Sequence, residues 1–456
     1  MRNGRAPAGY GRTRMVRTPW GESEQLRTRK LHRTGGLAQD EAERSQRERL
    51  FGATVAATTV KGYAKTSVAD LLRLSGVSRN AFYKLFASKE ECFLATAEEI
   101  VDTALAVVDR RYRRADDWNE RARDAFTAFF GLLADQPAAA RLVLVESYAA
   151  GPNAVALVER AVDDFETRAR EALTQLPGRE DVPPRLVRSL MGGLREVMQT
   201  RLRRGEESRL IALAPELLEA ALGYRSPPQP LLEPRRRSRR SPQAAASAAA
   251  PLHRDPTERI VAAATATMAS RGYGAATLEA IVAEASVSLS TFYEHFDGKE
   301  SALAAALDAG QARMFAAASP AYRRAREWPE AVRAAIGAIF RFLATEPDFA
   351  RLGIVEILCA GHMALERRER TVERLRTFLD PGRELAPAAG AAAAELAVGS
   401  ALALVYEEVR NGRVAGLPGL APLATFIVLS PFLGAEDAGT VAQGRGPGRQ
   451  AMPAAR

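Results

Sequence analysis

The sequence predicts an all-α protein built as a tandem repeat, each copy a three-helix helix-turn-helix head followed by a larger helical bundle. Three observations carry this expectation. Ala, Leu, Arg and Glu, all strong helix formers, dominate the chain, and period-two alternation of Val, Ile or Tyr is scarce. Apolar side chains recur at helical spacing in segment after segment, punctuated by Pro. One register also relates the halves: Lys61-Gly62-Tyr63 to Arg271-Gly272-Tyr273, Val77-Ser78 to Val287-Ser288, Phe82-Tyr83 to Phe292-Tyr293, and Lys89-Glu90 to Lys299-Glu300, each 210 positions apart. The same offset links Trp118 to Trp328, Pro137 to Pro347 and Glu146 to Glu356. After about residue 175 it slips, and Gly205 sits against Gly412.

In the first copy, residues 46–61 carry Leu50, Ala53, Ala57 and Val60 at spacings that give one helix with a buried stripe. Gly62 is placed to end it in a left-handed C-cap. Ser67, with Asp70 three residues on, is a capping box that opens a short helix through Leu71, Leu72 and Leu74. Gly76 suits the turn, and Ser78 can cap the next helix, Arg79-Asn80-Ala81-Phe82-Tyr83-Lys84-Leu85-Phe86. Phe82 and Phe86, four apart, face inward, which leaves Arg79, Asn80, Tyr83 and Lys84 outward. Two short helices joined by a tight turn can put the second into a major groove, where Arg79 and Asn80 suit guanine and adenine edges. Lys84, Lys89 and the Ser67 and Ser78 hydroxyls suit phosphate.

The bulk properties agree. The 456 residues are 47% hydrophobic and 26% charged, as in a soluble globular chain of several domains. The net charge of +9, carried mostly by Arg, favours a polyanionic partner. Cys92 and Cys359 share no metal-ligand or disulfide spacing, and a reducing cytoplasm is expected. The N-terminal stretch lacks an apolar signal core. The apolar stretch 417–433 is interrupted by Pro418, Pro422 and Pro431, and reads as a buried helix with loops, so no membrane partner is expected. Four histidines (His32, His253, His295 and His362) assemble no metal motif or catalytic constellation. Catalysis, cofactors and metal are therefore not expected.

The domain plan that follows is a disordered basic arm (1–45), a first head (46–96), a first helical regulatory domain (97–225), a linker (226–255), a second head (256–306), a second regulatory domain (307–433) and a disordered tail (434–456). The linker holds Pro227-Pro228 and the run Arg235-Arg236-Arg237-Ser238-Arg239-Arg240. Within the regulatory domains, 186–202 and 391–409 are rich in small and apolar residues and are the candidates for an interface between the copies. Glu146, Tyr148, Arg195, Glu356, His362 and Tyr406 are polar positions that could orient a ligand or form ordinary core and surface pairs, and no ligand-binding residue is assigned.

The run Gly62-Tyr63, Ser67-Val68, Gly76-Val77-Ser78, Phe82-Tyr83, Phe86 and Ser88-Lys89-Glu90 resembles the signature of the tetracycline-repressor (TetR) family. The second copy is similar to it through Gly272-Tyr273, Thr277-Leu278, Val287-Ser288, Ser290-Thr291-Phe292-Tyr293-Glu294-His295-Phe296 and Lys299-Glu300. The motif covers about 50 residues in each half. The resemblance implies a cytoplasmic transcriptional regulator, usually a repressor, that binds a double-stranded DNA operator and answers to a small-molecule effector. It also implies a dimerising bundle. Two copies in one chain then leave either an intrachain pseudo-dimer or a homodimer of chains with four heads. The alternative is a non-enzymatic interaction protein in which one or both heads are degenerate.

The second head differs in ways that matter. Its DNA-facing candidates are Thr277, Ser288, Leu289, Ser290, Thr291, Tyr293, His295 and Lys299, with Glu294 where the first has Lys84. Ser286 replaces Gly76, and Ala280 replaces Asp70, which removes the capping box. Weaker binding or different bases, and hence unlike half-sites, are expected.

Overall fold

The computed structural model describes residues 15–27, 38–113, 117–175, 182–231, 255–386 and 390–445. The arginine run at 235–240, His32, His253 and residues 446–456 lie outside the described residues.

A two-residue hairpin, β1 (Arg17–Thr18) and β2 (Gly21–Glu22), precedes an otherwise helical chain. The first copy comprises α1 (Ala38–Lys61), α2 (Val68–Ser75), α3 (Arg79–Leu85), α4 (Lys89–Tyr112), α5 (Trp118–Asp135), α6 (Pro137–Arg141), a π-helical segment (Leu142–Glu146), α7 (Ser147–Ala150), α8 (Pro152–Thr174), α9 (Pro184–Arg204) and α10 (Leu210–Gly223). The second comprises α11 (Pro256–Arg271), α12 (Leu278–Ala285), α13 (Leu289–His295), α14 (Lys299–Arg324), α15 (Trp328–Thr345), α16 (Pro347–Ala350), a π-helical segment (Arg351–Val355), α17 (His362–Arg376), α18 (Asp380–Leu385), α19 (Gly390–Arg410) and α20 (Leu417–Ala442). The repeat therefore extends to an unusual feature, a π segment at the same place in each copy.

The chain forms two compact units. The first comprises residues 1–110, 128–161 and 202–208; the second comprises 111–127, 162–201 and 209–456. In the first, residues 50–58 of α1 are buried on every side. Leu50, Phe51 and Ala57 pack with Leu71, Val77, Phe82 and Phe86, while Val55 and Ala56 pack with Phe93, Ala138, Leu142 and Val158. One helix thus belongs to both the head and the bundle behind it. In the second unit, Ile260, Ala264 and Met268 of α11 join Ile281, Phe292, Phe296, Leu303 and Leu352 in one core.

The second unit also contains the late helices of the first copy, and α9 lies against α19, the pair expected to form an interface. Gly192, Gly193 and Gly399 allow the approach: a Cβ on Gly192 would overlap Ala403 Cβ, and one on Gly399 would lie 3.1 Å from the Gly193 carbonyl oxygen. Tyr224, at the end of α10, is buried and donates its hydroxyl to the Ile427 carbonyl of α20 at 2.8 Å. The reason lies four residues on: Pro431 has no N–H, so that carbonyl loses its helical partner.

Several expectations need correction. Residues 15–27 are not a disordered arm, since Val16 and Leu26 are buried and the hairpin packs on α1. The first helix begins at Ala38, not 46, and Val60 is exposed, outside the expected stripe. Residues 417–433 are not a helix broken by loops. Here α20 runs to Ala442, bending at Gly434 (φ 77°), with Ala438 and Val441 buried, so the tail expected from 434 is structured as far as Arg445. Two helical stretches, Gly390–Arg410 and Val414–Ala442, are long and apolar enough to cross a membrane. Over half of each apolar window is buried within the protein, because α19 and α20 pack on each other and on α10 and α15.

Candidate nucleic-acid interface

Each head presents the second helix of a helix-turn-helix. In the first, the Ser67 hydroxyl accepts from the Asp70 N–H and the Asp70 carboxylate accepts from the Ser67 N–H at 3.1 Å, the expected capping box. Lys61 Nζ, 2.5 Å from Asp70 Oδ1, together with the Ser67 hydroxyl and Arg73, holds the carboxyl well below the usual carboxylate range. Gly76 makes the turn at φ 67°, ψ 14°, and the Ser78 hydroxyl caps α3 by accepting from the Ala81 N–H at 3.2 Å.

In the second head, Thr277 caps α12 through the Ala280 N–H, and Ser288 caps α13 through the Thr291 N–H at 3.0 Å. The turn residue Ser286 stands at φ 52°, ψ 46°, the only non-glycine residue with positive φ among those described. The chain therefore builds the same turn from a residue that resists it.

The exposed faces differ in charge. Arg79, Asn80, Tyr83 and Lys84 are exposed on α3, with the Arg79 guanidinium 5.6 Å from the Tyr83 ring centre. Lys65 and Arg73 are exposed as well, and Arg73 is paired with Asp70. At the corresponding positions the second head has Leu289, Ser290, Tyr293 and Glu294, all exposed, with Ala275 and Ala283 in place of Lys65 and Arg73. Recognition helix α3 thus offers two cations, Arg79 and Lys84, where α13 offers the carboxylate of Glu294. Ser67, Ser78, Thr277 and Ser288 are exposed at helix N-termini, where backbone N–H groups favour phosphate oxygens.

Four of the candidate residues make contacts within their own head. Lys89 donates to the Tyr63 and Thr66 carbonyls at 3.0 and 2.9 Å, with its ammonium 3.9 Å from the Tyr63 ring centre. Lys299 repeats this on the Tyr273 and Ala276 carbonyls at 2.9 and 3.0 Å. Burial lowers the pKa of both. Each ammonium clamps the loop ahead of the helix-turn-helix instead of facing outward to phosphate. Thr291 is half-buried and bonded to Ser288, because its position in the repeat is that of Ala81, on the inner side. His295 Nδ1 lies 3.1 Å from Thr257 Oγ1, which ties the end of α13 to the start of α11.

The same loop is held from behind by a residue whose role the sequence did not reveal. Glu146 Oε2 accepts from the Tyr63 N–H at 2.7 Å, and Glu356 Oε2 accepts from the Tyr273 N–H at 2.9 Å. Desolvation raises the pKa of Glu146. Each glutamate stands at or just past the end of its π segment. Five residues earlier, Arg141 donates to the Leu202 carbonyl near the end of α9, and Arg351 to the Arg410 carbonyl at the end of α19. The only possible signal was the repeat of the arginine and glutamate at one offset. Of the other polar positions considered for a ligand, His362 is exposed beside Glu366 and Arg195 lies over the Tyr406 ring at 5.8 Å. Burial pushes both cysteine thiols up to about 11, so they stay protonated at neutral pH.

The model of the bacterial regulatory proteins, tetR family (TetR_N), matches residues 50–96 and 260–306. The HTH-type transcriptional activator FasR of Mycolicibacterium smegmatis is 29% identical over 103 residues, 23% of this chain and 47% of that protein. The chain thus spans about half the length of this curated relative. Among solved structures, the fatty acid degradation regulator FadR from Bacillus halodurans superposes with a TM-score of 0.36 at 19% identity, over 39% of this chain and 95% of that one. FadR from Bacillus subtilis, solved in complex with stearoyl-CoA, gives 0.35 at 19% identity, over 38% and 96%. Both matches fall on the two capped helix-turn-helix heads, so the chain carries the helix-turn-helix domain of the tetR family of bacterial regulatory proteins twice.

Proposed function

We propose that this chain is a sequence-specific regulator that binds a double-stranded operator with both heads, its two copies pairing within one chain as a pseudo-dimer. The observation that carries the reading is the pair of N-capped recognition helices with exposed polar faces, one cationic and one not. Because the faces differ, the operator has unlike half-sites. Arg79, Asn80, Tyr83 and Lys84 read the first, and Leu289, Ser290 and Tyr293 the second, with Ser67, Ser78, Thr277 and Ser288 at phosphates. Support for cis pairing comes from the contact of α9 with α19. Repression is the expected sign, with relief by a small-molecule effector in a regulatory bundle. A promoter reporter decides between this and the activation named for FasR.

The test is selection of bound fragments from a genomic library by the full chain, by Arg79→Ala/Lys84→Ala and by Ser290→Ala/Tyr293→Ala. Loss of selection in both variants is expected. Loss only in the first supports the second reading, a degenerate second head, which the carboxylate of Glu294 favours. A wild-type chain that selects nothing refutes DNA recognition, and a symmetric footprint refutes unlike half-sites.

A further inference from the structure

The seam between α9 and α19 carries charges in an order that no pairing of identical copies could use. In the first copy, Arg188 pairs with Glu166 of α8 at 3.0 Å and reaches across to Glu407 of α19 at 3.0 Å. The register offsets of 210 for α8 and 207 for α9 place Arg376 and Glu395 of the second copy opposite Glu166 and Arg188. There the signs are reversed. Glu395 lies 3.6 Å from Arg376 and reaches back to Arg201 of α9 at 2.8 Å, with side chains of Arg201 and Glu395 only 10% and 15% exposed. Arg188 also pairs with Asp163 of α8, whose counterpart Glu373 is likewise acidic and pairs with Arg376, so the reversal lies at Glu166 against Arg376 and Arg188 against Glu395.

A third bridge stands on one side only. Arg368 of α17 grips Glu196 of α9 with two parallel bonds of 2.5 and 2.8 Å, and both side chains are nearly buried. The corresponding positions on the other side are Val158 and Ala403, which carry no charge.

We infer that this seam is built to join unlike copies and to reject like ones. Two first copies would set Arg188 against the position of Arg201, and would leave Glu196 buried against Val158. Two second copies would set Glu395 against Glu407 and Glu408, and Arg368 against Ala403. Like charges at close range are costly, and so is the loss of a nearly buried salt bridge, so the arrangement discriminates through repulsion as well as attraction. Shape adds to it. A Cβ on Gly193 would overlap Ser400 Oγ, and Ser400 is the counterpart of Gly193, so two second copies would bring serine onto serine where only glycine fits. The partner that fits each copy is the other copy of this chain, which the linker supplies. A four-headed particle joined through like copies is excluded, and the two different recognition helices are committed to one particle.

The inference rests on the pairing proposed above, and its test needs no DNA, so failure of DNA selection and failure of the seam are separable. The full chain is compared with Glu196→Arg, Arg368→Glu and the double swap by thermal unfolding. Each single reversal is expected to lower Tm by about 5 °C or more, and the swap to return to within about 2 °C of wild type. Losses that simply add in the double variant overturn the cross-copy pairing. In parallel, Ser400→Cys is oxidised and run against wild type, which controls for Cys92 and Cys359. The expected result is no additional interchain disulfide; a 400–400 link shows that like copies pair and overturns the inference.

Discussion

Glu294→Lys in α13 is expected to strengthen binding to the operator. Glu294 is exposed at the position that Lys84 holds in α3, so the substitution gives the second head the charge of the first without touching its core. If the side chain stands about 7 Å from the nearest phosphate, one unit charge in water contributes roughly 0.6 kcal/mol. Replacing a carboxylate by an ammonium changes two units, so the gain is about 1 kcal/mol at low salt, roughly fivefold in Kd. Screening over about 8 Å at physiological salt cuts this to roughly half. The plot of log affinity against log salt should steepen by about 0.9, the signature of one added phosphate contact. Anisotropy titrations of a labelled operator between low and physiological salt measure both. The reciprocal Lys84→Glu should weaken binding and flatten the slope by a similar amount. An unchanged slope for Glu294→Lys, with the Lys84→Glu slope altered, would refute the placement of α13 at DNA.

Two further predictions concern stability. Ser286→Gly should stabilise the chain by about 0.5–1 kcal/mol, because glycine adopts φ 52° without Cβ strain, whereas Gly76→Ser should destabilise it by more, since its Cβ would also lie 2.9 Å from Arg27 Cγ; thermal unfolding reads both. Tyr224→Phe should cost about 1–3 kcal/mol by leaving the buried Ile427 carbonyl without a partner, and Pro431→Ala should recover most of that loss by restoring the helical N–H; equal losses with and without Pro431 would exclude the mechanism.

Sequence pattern revealed what depends on local backbone chemistry. The capping box at Ser67 and Asp70, the cap at Ser78, the turn at Gly76 and the inward pair Phe82 and Phe86 are properties of a few neighbouring residues, and they stand as expected. Direction was harder to read. Lys89 has the chemistry of a phosphate ligand, yet burial beside two loop carbonyls decides where its ammonium points, and both carbonyls lie more than 20 positions away. The hairpin at 17–22 escaped notice because a window average over an Arg- and Gly-rich stretch hides the two side chains, Val16 and Leu26, that anchor it. The prolines of α20 read as breaks because the residue that satisfies the freed carbonyl, Tyr224, comes from the other copy.

Internal repetition separates what the fold needs from what each copy has been free to change. Recognition faces and seam charges have diverged to the point of opposite sign, as Lys84 against Glu294 and Arg188 against Glu395 show. The link from bundle to head has not. In both copies an arginine ties the last turn of the seam helix to the start of a π segment, a glutamate at the other end of that segment holds the N–H of Tyr63 or Tyr273, and a lysine fixes the carbonyl of the same residue. That tyrosine sits directly before the helix-turn-helix, so its peptide units are pinned on both sides. Each copy thus retains the same chain of contacts from the end of α9 or α19 to the loop ahead of the helix-turn-helix, while the exposed residues of α3 and α13 and the charges on α9 and α19 differ.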